Sequence, residues 1–132
     1  TTIHTLKGGG CMHSEMISKI DKENYKQFQL ARTVSLHLDK SRRGITNFDR
    51  HRAFDVVANL TGRKSIKKQM QDSKMISISR NKNRIEITPS INGGSTGPNR
   101  GYRFHGKPLV LELPAEEDNL DKEIRRALEM CK

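Results

Sequence analysis

Two short runs in the middle of the chain alternate apolar and polar residues, as half-buried β-strands do. They are MISIS at 75–79 and RIEIT at 84–88, and a three-residue turn at 81–83 joins them into a hairpin with their isoleucines in register. A third apolar run, LVLEL at 109–113, predicts a further strand. The pattern therefore indicates a small, mostly antiparallel sheet.

Four other segments space their apolar residues three or four apart, which is the period of a helix with one buried face. These apolar positions are Tyr25, Phe28, Ala31, Val34 and Leu38; Ala53, Phe54, Val57 and Leu60; Ile66 and Met70; and Leu120, Ile124, Ala127, Leu128 and Cys131. The predicted helices cover about 22–38, Asn47 or Asp49 to Gly62, 63–71, and Asp118 or Asn119 onward.

Helices, then a sheet, then a closing helix are typical of the α+β class, here about three or four strands packed with three or four α-helices. A length of 132 residues suits one domain, which we assign to 1–132. Residues 1–21 give no clear pattern. We expect the segment either to be partly disordered or to form a short strand, for which TIHTL at 2–6 is the candidate.

The net charge of the chain limits the classes of binding partner that it favours. The chain carries 25 Lys and Arg against 15 Asp and Glu, a net charge of +10, with its basic residues concentrated at 40–68 and acidic residues at 112–129. Such an excess favours an acidic partner, which is a nucleic acid, an anionic membrane or an acidic protein surface.

No apolar run reaches membrane length, so we expect no membrane partner. The two cysteines, Cys11 and Cys131, lie at opposite ends of the chain and no secretory leader is visible. Reduced thiols in the cytoplasm are therefore the preferred interpretation.

The stretch PSINGGSTGPNRGYRFHGKP, residues 89–108, holds five of the ten glycines and no acidic residue. Four interpretations are open: a phosphate cradle, a catalytic lid, a face for a protein partner, or slack chain. A phosphate cradle is disfavoured, because the glycine spacing of a P-loop is absent and a strand, not a helix, follows.

Catalysis has one candidate arrangement in this stretch. His105 lies between Arg103 and Lys107, and a metal-independent ribonuclease needs a base, an acid and a cation near the scissile phosphate. Five scattered histidines and many arginines make such a set easy to find by chance, and no nucleophile motif is present. We therefore predict no enzyme and no catalytic residue.

Metal and cofactor sites are also not expected. Cys11 and His13 have no second ligand pair at finger-like spacing, and Cys131 falls on the core face of the last predicted helix. The prediction is no metal and no cofactor.

Direct nucleic-acid binding stays open but is not favoured. The basic residues that could neutralise phosphates are Arg42, Arg43, Arg50, Arg52, Arg63, Lys64, Lys67 and Lys68. Aromatic residues interleaved for base stacking, and a helix pair of the expected length for reading a groove, are both missing.

The second half of the chain resembles one family of immunity proteins from bacterial contact-dependent growth inhibition systems. The matching phrases are a basic helix from Lys64 to Met70, the strand ending Ile85–Glu86–Ile87–Thr88–Pro89, the turn Leu113–Pro114–Ala115 with the acids Glu116 to Asp118, and the closing Ala127–Leu128–Glu129–Met130–Cys131. Upstream, LARTVSLHLDKSR at 30–42 is similar to an earlier helix of the family.

The resemblance implies a non-enzymatic protein of the bacterial cytoplasm. It would bind and neutralise, by occlusion, the cognate C-terminal toxin domain of a contact-dependent growth inhibition effector, through an acidic face of that domain. On this interpretation the 89–108 stretch contacts the toxin through Arg100, Tyr102, Arg103, Phe104, His105 and Lys107. The alternative is a small basic ribonuclease or toxin domain, or a nucleic-acid-binding protein.

Overall fold

The computed structural model describes residues 3–6, 11–13, 17–21, 23–45 and 50–132. It divides into two compact units, Thr1–Ser65 and Ile66–Lys132. The described residues contain four helices, and the second unit holds a four-stranded, mostly antiparallel sheet, so the α+β prediction is confirmed. Assignment of the whole chain to one domain stays a prediction.

The described residues of the first unit form three short strands and two helices, in the order β1 (Ile3–Leu6), β2 (Cys11–His13), α1 (Gln29–Lys40), β3 (Arg43–Ile45) and α2 (Arg50–Thr61). β1 is the central strand, antiparallel to β2 and parallel to β3. The candidate strand within TIHTL is thus present. β2 and β3 were not predicted, because three-residue strands leave no period to detect.

Helix α1 begins at Gln29, and the prediction of a start near residue 22 is wrong. Phe28 has a left-handed φ of 57°, and the Gln29 N–H donates to the Lys26 carbonyl at 3.0 Å, so the chain turns just before the helix. Tyr25 precedes the helix as well, and its hydroxyl accepts from the Leu30 N–H at 3.4 Å. The three-residue spacing of Tyr25 and Phe28 therefore does not reflect a helix, since both residues precede α1.

Helix α2 ends as predicted, since Gly62 follows it with a φ of +69°, a conformation that glycine adopts without strain. The candidate caps Asn47 and Asp49 lie outside the described residues.

The second unit contains α3 (Ile66–Met70), β4 (Ile76–Arg80), β5 (Arg84–Asn92), β6 (Tyr102–Phe104), β7 (Leu109–Glu112) and α4 (Glu117–Met130). β5 is the central strand and pairs antiparallel with β4, β6 and β7. Helix α3 is shorter at both ends than predicted. The β4–β5 turn is the predicted one, and the Asn81 side-chain oxygen accepts from the N–H groups of Asn83 and Arg84 at 3.0 Å each.

The core of the second unit lies between β5 and α4. Ile87 and Ile124 are almost fully buried, at 0% and 1% exposure, and Leu120 and Ala127 are buried beside them as their spacing predicted. Glu116, rather than Asp118 or Asn119, is the residue that precedes the first helical turn of α4. Cys131 follows the helix, and its thiol is buried and donates to the Met75 carbonyl at 3.2 Å. In the described residues no helix is long and apolar enough to span a bilayer.

Protonation of His37 should destabilise the first unit. Burial lowers the pKa of His37, whose Nε2 lies 2.8 Å from the Ser18 hydroxyl. The unfolded chain then binds more protons than the folded chain as pH falls through about 6.5, so the free energy of unfolding should fall over that range and level off below the folded pKa. Urea unfolding between pH 7.5 and 5 measures the slope. The slope should be smaller in His37→Gln, and an identical slope in this variant would contradict the assignment.

Candidate interaction surface around the glycine-rich loop

Seven of the twenty residues of the 89–108 stretch belong to strands, although the sequence predicted only a loop. β5 continues to Asn92 and β6 returns alongside it, with Ser90 opposite Phe104 and Asn92 opposite Tyr102. The connecting loop is therefore 93–101, which we call the glycine-rich loop. The segments SIN at 90–92 and YRF at 102–104 are too short and too polar for their sequence pattern to distinguish a strand from a loop.

Pro89 explains why the strand beside β5 is split in two. Its carbonyl accepts from the His105 N–H at 3.1 Å, so the backbone of Pro89 faces the β6 and β7 side, where proline offers no N–H. The neighbouring chain leaves the ladder at 106–108 and pairs again only at Leu109, opposite Ile87. We call residues 106–108 the bulge.

The glycine-rich loop is closed by its own backbone. The Gly93 N–H donates to the Gly101 carbonyl at 2.8 Å, and the Gly101 N–H donates to the Gly94 carbonyl at 2.8 Å. A third bond runs from the Arg100 N–H to the Gly97 carbonyl at 3.3 Å. These bonds give the loop a defined shape, which does not fit slack chain.

Side chains tie the base of this loop to the end of α3. Asn92 Nδ2 donates to the carbonyls of Met70 and Ser73, at 2.7 and 2.9 Å, and Asn92 Oδ1 accepts from the Gly94 N–H at 2.9 Å. The Tyr102 hydroxyl is hydrogen-bonded to the Ser73 hydroxyl, which itself donates to the Met70 carbonyl at 2.7 Å. Asn92 and Ser73 were not predicted, since nothing in the sequence links residues that lie 19 or 29 positions apart.

The six predicted contact residues differ in exposure. Arg100, Arg103, Phe104 and Lys107 are exposed, whereas Tyr102 and His105 are half-buried. Within the part of the chain that the structure describes, none of the three exposed cations makes an ion pair. The surface is thus positively charged, and 52% of Phe104 is open to solvent.

Strand geometry separates some of these residues. Cross-strand partners share a face of the sheet, so Tyr102 and Phe104 lie on one face, with Asn92 and Ser90. Arg103, opposite Ile91, lies on the other face. Tyr102 and Phe104 therefore project from one face of β6, and Arg103 projects from the other face.

The catalytic arrangement of Arg103, His105 and Lys107 is not assembled. His105 Nε2 is buried and has no hydrogen-bond partner, so it is not presented to a substrate. Lys107 lies in the bulge, out of register with Arg103. Across the described ranges, no group of His, Cys, Asp and Glu residues could hold a metal ion.

No known protein family and no curated protein matches the chain. Among solved structures, the chain is similar to NMB0488, a protein of unknown function from Neisseria meningitidis, with a TM-score of 0.77 and 15% sequence identity. The match covers 99% of this chain and 86% of that chain. At this level of identity the likeness establishes the fold alone.

Replacement of Gly93 should open the loop. A Cβ atom at Gly93 would lie 1.6 Å from the Asn99 carbonyl oxygen, so Gly93→Ala must displace the backbone of the loop. We expect a loss of stability of about 1–3 kcal/mol, the range for overpacking, and faster amide exchange at Gly93 and Gly101. Hydrogen exchange with urea unfolding measures both effects. Thr96→Ala, at an exposed position of the same loop, is the control and should change neither.

Proposed function

We propose that this chain is a non-enzymatic immunity protein, which binds and neutralises the C-terminal toxin domain of a contact-dependent growth inhibition effector in the bacterial cytoplasm. The observation that carries the proposal is the exposed, unpaired positive charge held on a backbone-closed loop and an edge strand. A surface of fixed shape loses little conformational entropy on binding, and uncompensated charge speeds capture of an oppositely charged partner.

The resemblance to the immunity family supports the same proposal, and most of its phrases fall on elements of the second unit. The basic phrase ends at Met70, the last residue of α3, and the phrase around Ile85 and Ile87 supplies the buried face of β5. The closing phrase supplies Ala127 and Cys131, both buried. These positions maintain the fold, so the specificity of the protein must come from residues outside them.

Occlusion requires only a stable complex, and the surface has the two components such a complex needs. The exposed cations Arg100, Arg103 and Lys107 would steer an acidic toxin domain towards the surface. Phe104 would lose its exposed area on contact and slow dissociation, as buried aromatic anchors do. Neutralisation follows if the bound protein covers the active site of the toxin domain or a surface that the toxin needs.

Reversal of the three charges should slow capture of the toxin domain. The variant Arg100→Glu, Arg103→Glu, Lys107→Glu should reduce the association rate constant by about tenfold or more at low salt, with a smaller effect at high salt. Biolayer interferometry with the cognate toxin domain, which the proposal places at the C-terminus of a large secreted protein encoded beside this chain, measures the rate. Lys19→Glu, Lys26→Glu, Lys82→Glu is the charge-matched control, since these three lysines are exposed and lie outside the 89–108 stretch. Equal association rate constants for the wild type and the Arg100, Arg103 and Lys107 variant would show that these three residues are not in the interface.

The alternative function, a basic ribonuclease or nucleic-acid binder, is favoured by the exposed lysines of α3, Lys67 and Lys68. Incubation of the purified protein with tRNA and plasmid DNA at low salt separates the two functions, and we expect no cleavage. Cleavage that is lost in His105→Ala would overturn the immunity proposal. Retention of DNA without cleavage, weakened steeply by salt, would favour a nucleic-acid binder.

A further inference from the structure

Asn92 is the only asparagine in the sequence that is followed by glycine. The backbone nitrogen of the next residue can attack an asparagine side chain, and glycine at that position offers the least steric resistance because it has no Cβ atom. The pair Asn92–Gly93 is therefore the position at which this chain is most susceptible to spontaneous deamidation. It also joins β5 to the glycine-rich loop.

Deamidation of this pair needs only the chain and water. The Gly93 nitrogen loses its proton to the solvent and forms a bond to Cγ of Asn92, and the Cγ–Nδ2 bond breaks with release of ammonia. Water then opens the resulting five-membered succinimide ring at either of its two carbonyl carbons. The product at position 92 is aspartate or isoaspartate, and no oxidant, reductant or cofactor takes part.

The folded structure restrains every group that this reaction uses. The Gly93 N–H donates to the Gly101 carbonyl at 2.8 Å, so the attacking nitrogen is engaged. Asn92 Nδ2 donates to the carbonyls of Met70 and Ser73, at 2.7 and 2.9 Å, which fixes the side-chain amide. Asn92 also belongs to β5, and closure of the succinimide ring requires a backbone conformation that an extended strand does not have.

The base of the glycine-rich loop leaves no room for the reaction to occur in the closed state. Even one added carbon atom at Gly93 would lie 1.6 Å from the Asn99 carbonyl oxygen. Chemistry at such a protected group proceeds through local opening, and its rate is the rate of the open chain multiplied by the fraction of molecules that are open. The rate of deamidation at Asn92 therefore measures the population of the open loop.

The product cannot re-form the contacts that Asn92 makes. An ionised aspartate has acceptors only, so it has no N–H to donate and its charge would face the carbonyl oxygens of Met70 and Ser73. Isoaspartate adds a methylene group to the main chain of β5, which displaces the pairing of position 92 with Tyr102. Either product detaches the base of the loop from the end of α3, and neither reverts to asparagine.

We propose that Asn92 is a site of spontaneous deamidation that is gated by opening of the glycine-rich loop, and that its product leaves the loop permanently detached from α3. The reaction thus sets a lifetime for the defined shape of this surface. The inference goes beyond the immunity role and does not rest on it, because every contact that it uses lies within the second unit.

The first test compares deamidation of the folded protein with that of a synthetic peptide of residues 88–97, by peptide mapping and mass spectrometry at mildly alkaline pH. The peptide represents the open chain, and Asn92 in the folded protein should react more slowly by about tenfold or more. The ratio of the two rates should agree within about threefold with the hydrogen-exchange protection of the Gly93 amide, because both reactions require the same N–H to be free.

The second test opens the loop without changing Asn92 or Gly93. Gly101→Val places a β-branched residue at a φ of +92°, which strains the closed loop, and Asn92 should then deamidate faster by about threefold or more. Thr96→Ala, at an exposed position of the same loop, should keep the wild-type rate. Asn99, which precedes an arginine, is the internal control and should react slowly in each protein.

A milder variant serves if Gly101→Val does not fold. Tyr102→Phe removes the hydroxyl that is hydrogen-bonded to Ser73, and it should raise the deamidation rate of Asn92 by about twofold or more. The consequence of the reaction is measured with Asn92→Asp, which reproduces one product, against Asn92→Ala, which removes the same N–H groups without adding charge. Exchange of the Ser73 amide, which donates to the Met70 carbonyl at 3.2 Å, should be faster in Asn92→Asp by about threefold or more.

Four outcomes would overturn the inference. Asn92 could react as fast in the folded protein as in the peptide, or stay intact while the Gly93 amide exchanges freely. Gly101→Val and Tyr102→Phe could both keep the wild-type deamidation rate although the Gly93 amide exchanges faster. Finally, the Ser73 amide could exchange equally in Asn92→Asp and the wild type, which would show that the product does not detach α3.

Discussion

The backbone hydrogen bonds of β5 hold the second unit together. This one strand pairs with β4 on one side and with β6 and β7 on the other, and the Lys132 backbone exchanges bonds with Ser90 and Asn92 at 3.1 and 2.7 Å. Its buried isoleucines also form the surface on which α4 packs. A lost bond or a shifted register in β5 would thus displace every element that positions the candidate surface, because a shift of one residue exchanges the two faces.

Much of this unit could be predicted from sequence, since its elements have strong local periods. The β4–β5 hairpin, β7 and α4 follow from alternation and from helical spacing of Leu120, Ile124 and Ala127. β6 could not be predicted, because three residues give no period and its pairing depends on the position of Asn92. The predicted start of α1 was wrong for a different reason. Phe28 has a left-handed backbone conformation that interrupts the helix, and this conformation does not change the spacing of apolar residues.

The candidate surface was predicted in part. The six residues proposed from the sequence do lie on β6 and its flanks, but a sequence does not show which face of a sheet each side chain takes until the pairing is known. Pairing places Arg103 and Phe104 on opposite faces, and the hydrogen bond between Tyr102 and Ser73 joins β6 to the turn after α3, 29 residues away in the sequence.

The bulge at 106–108 has a consequence for self-association. An uninterrupted edge strand exposes a row of N–H and C=O groups that can template a strand from another molecule, and proteins suppress this with bulges, lysines and prolines at edges. Gly106, Lys107 and Pro108 supply all three devices at the point where β6 would otherwise run into β7. β6 has three residues and β7 has four, so neither strand offers a long edge for amyloid-like stacking. The β6–β7 edge of the sheet is therefore protected against pairing with a strand of another molecule.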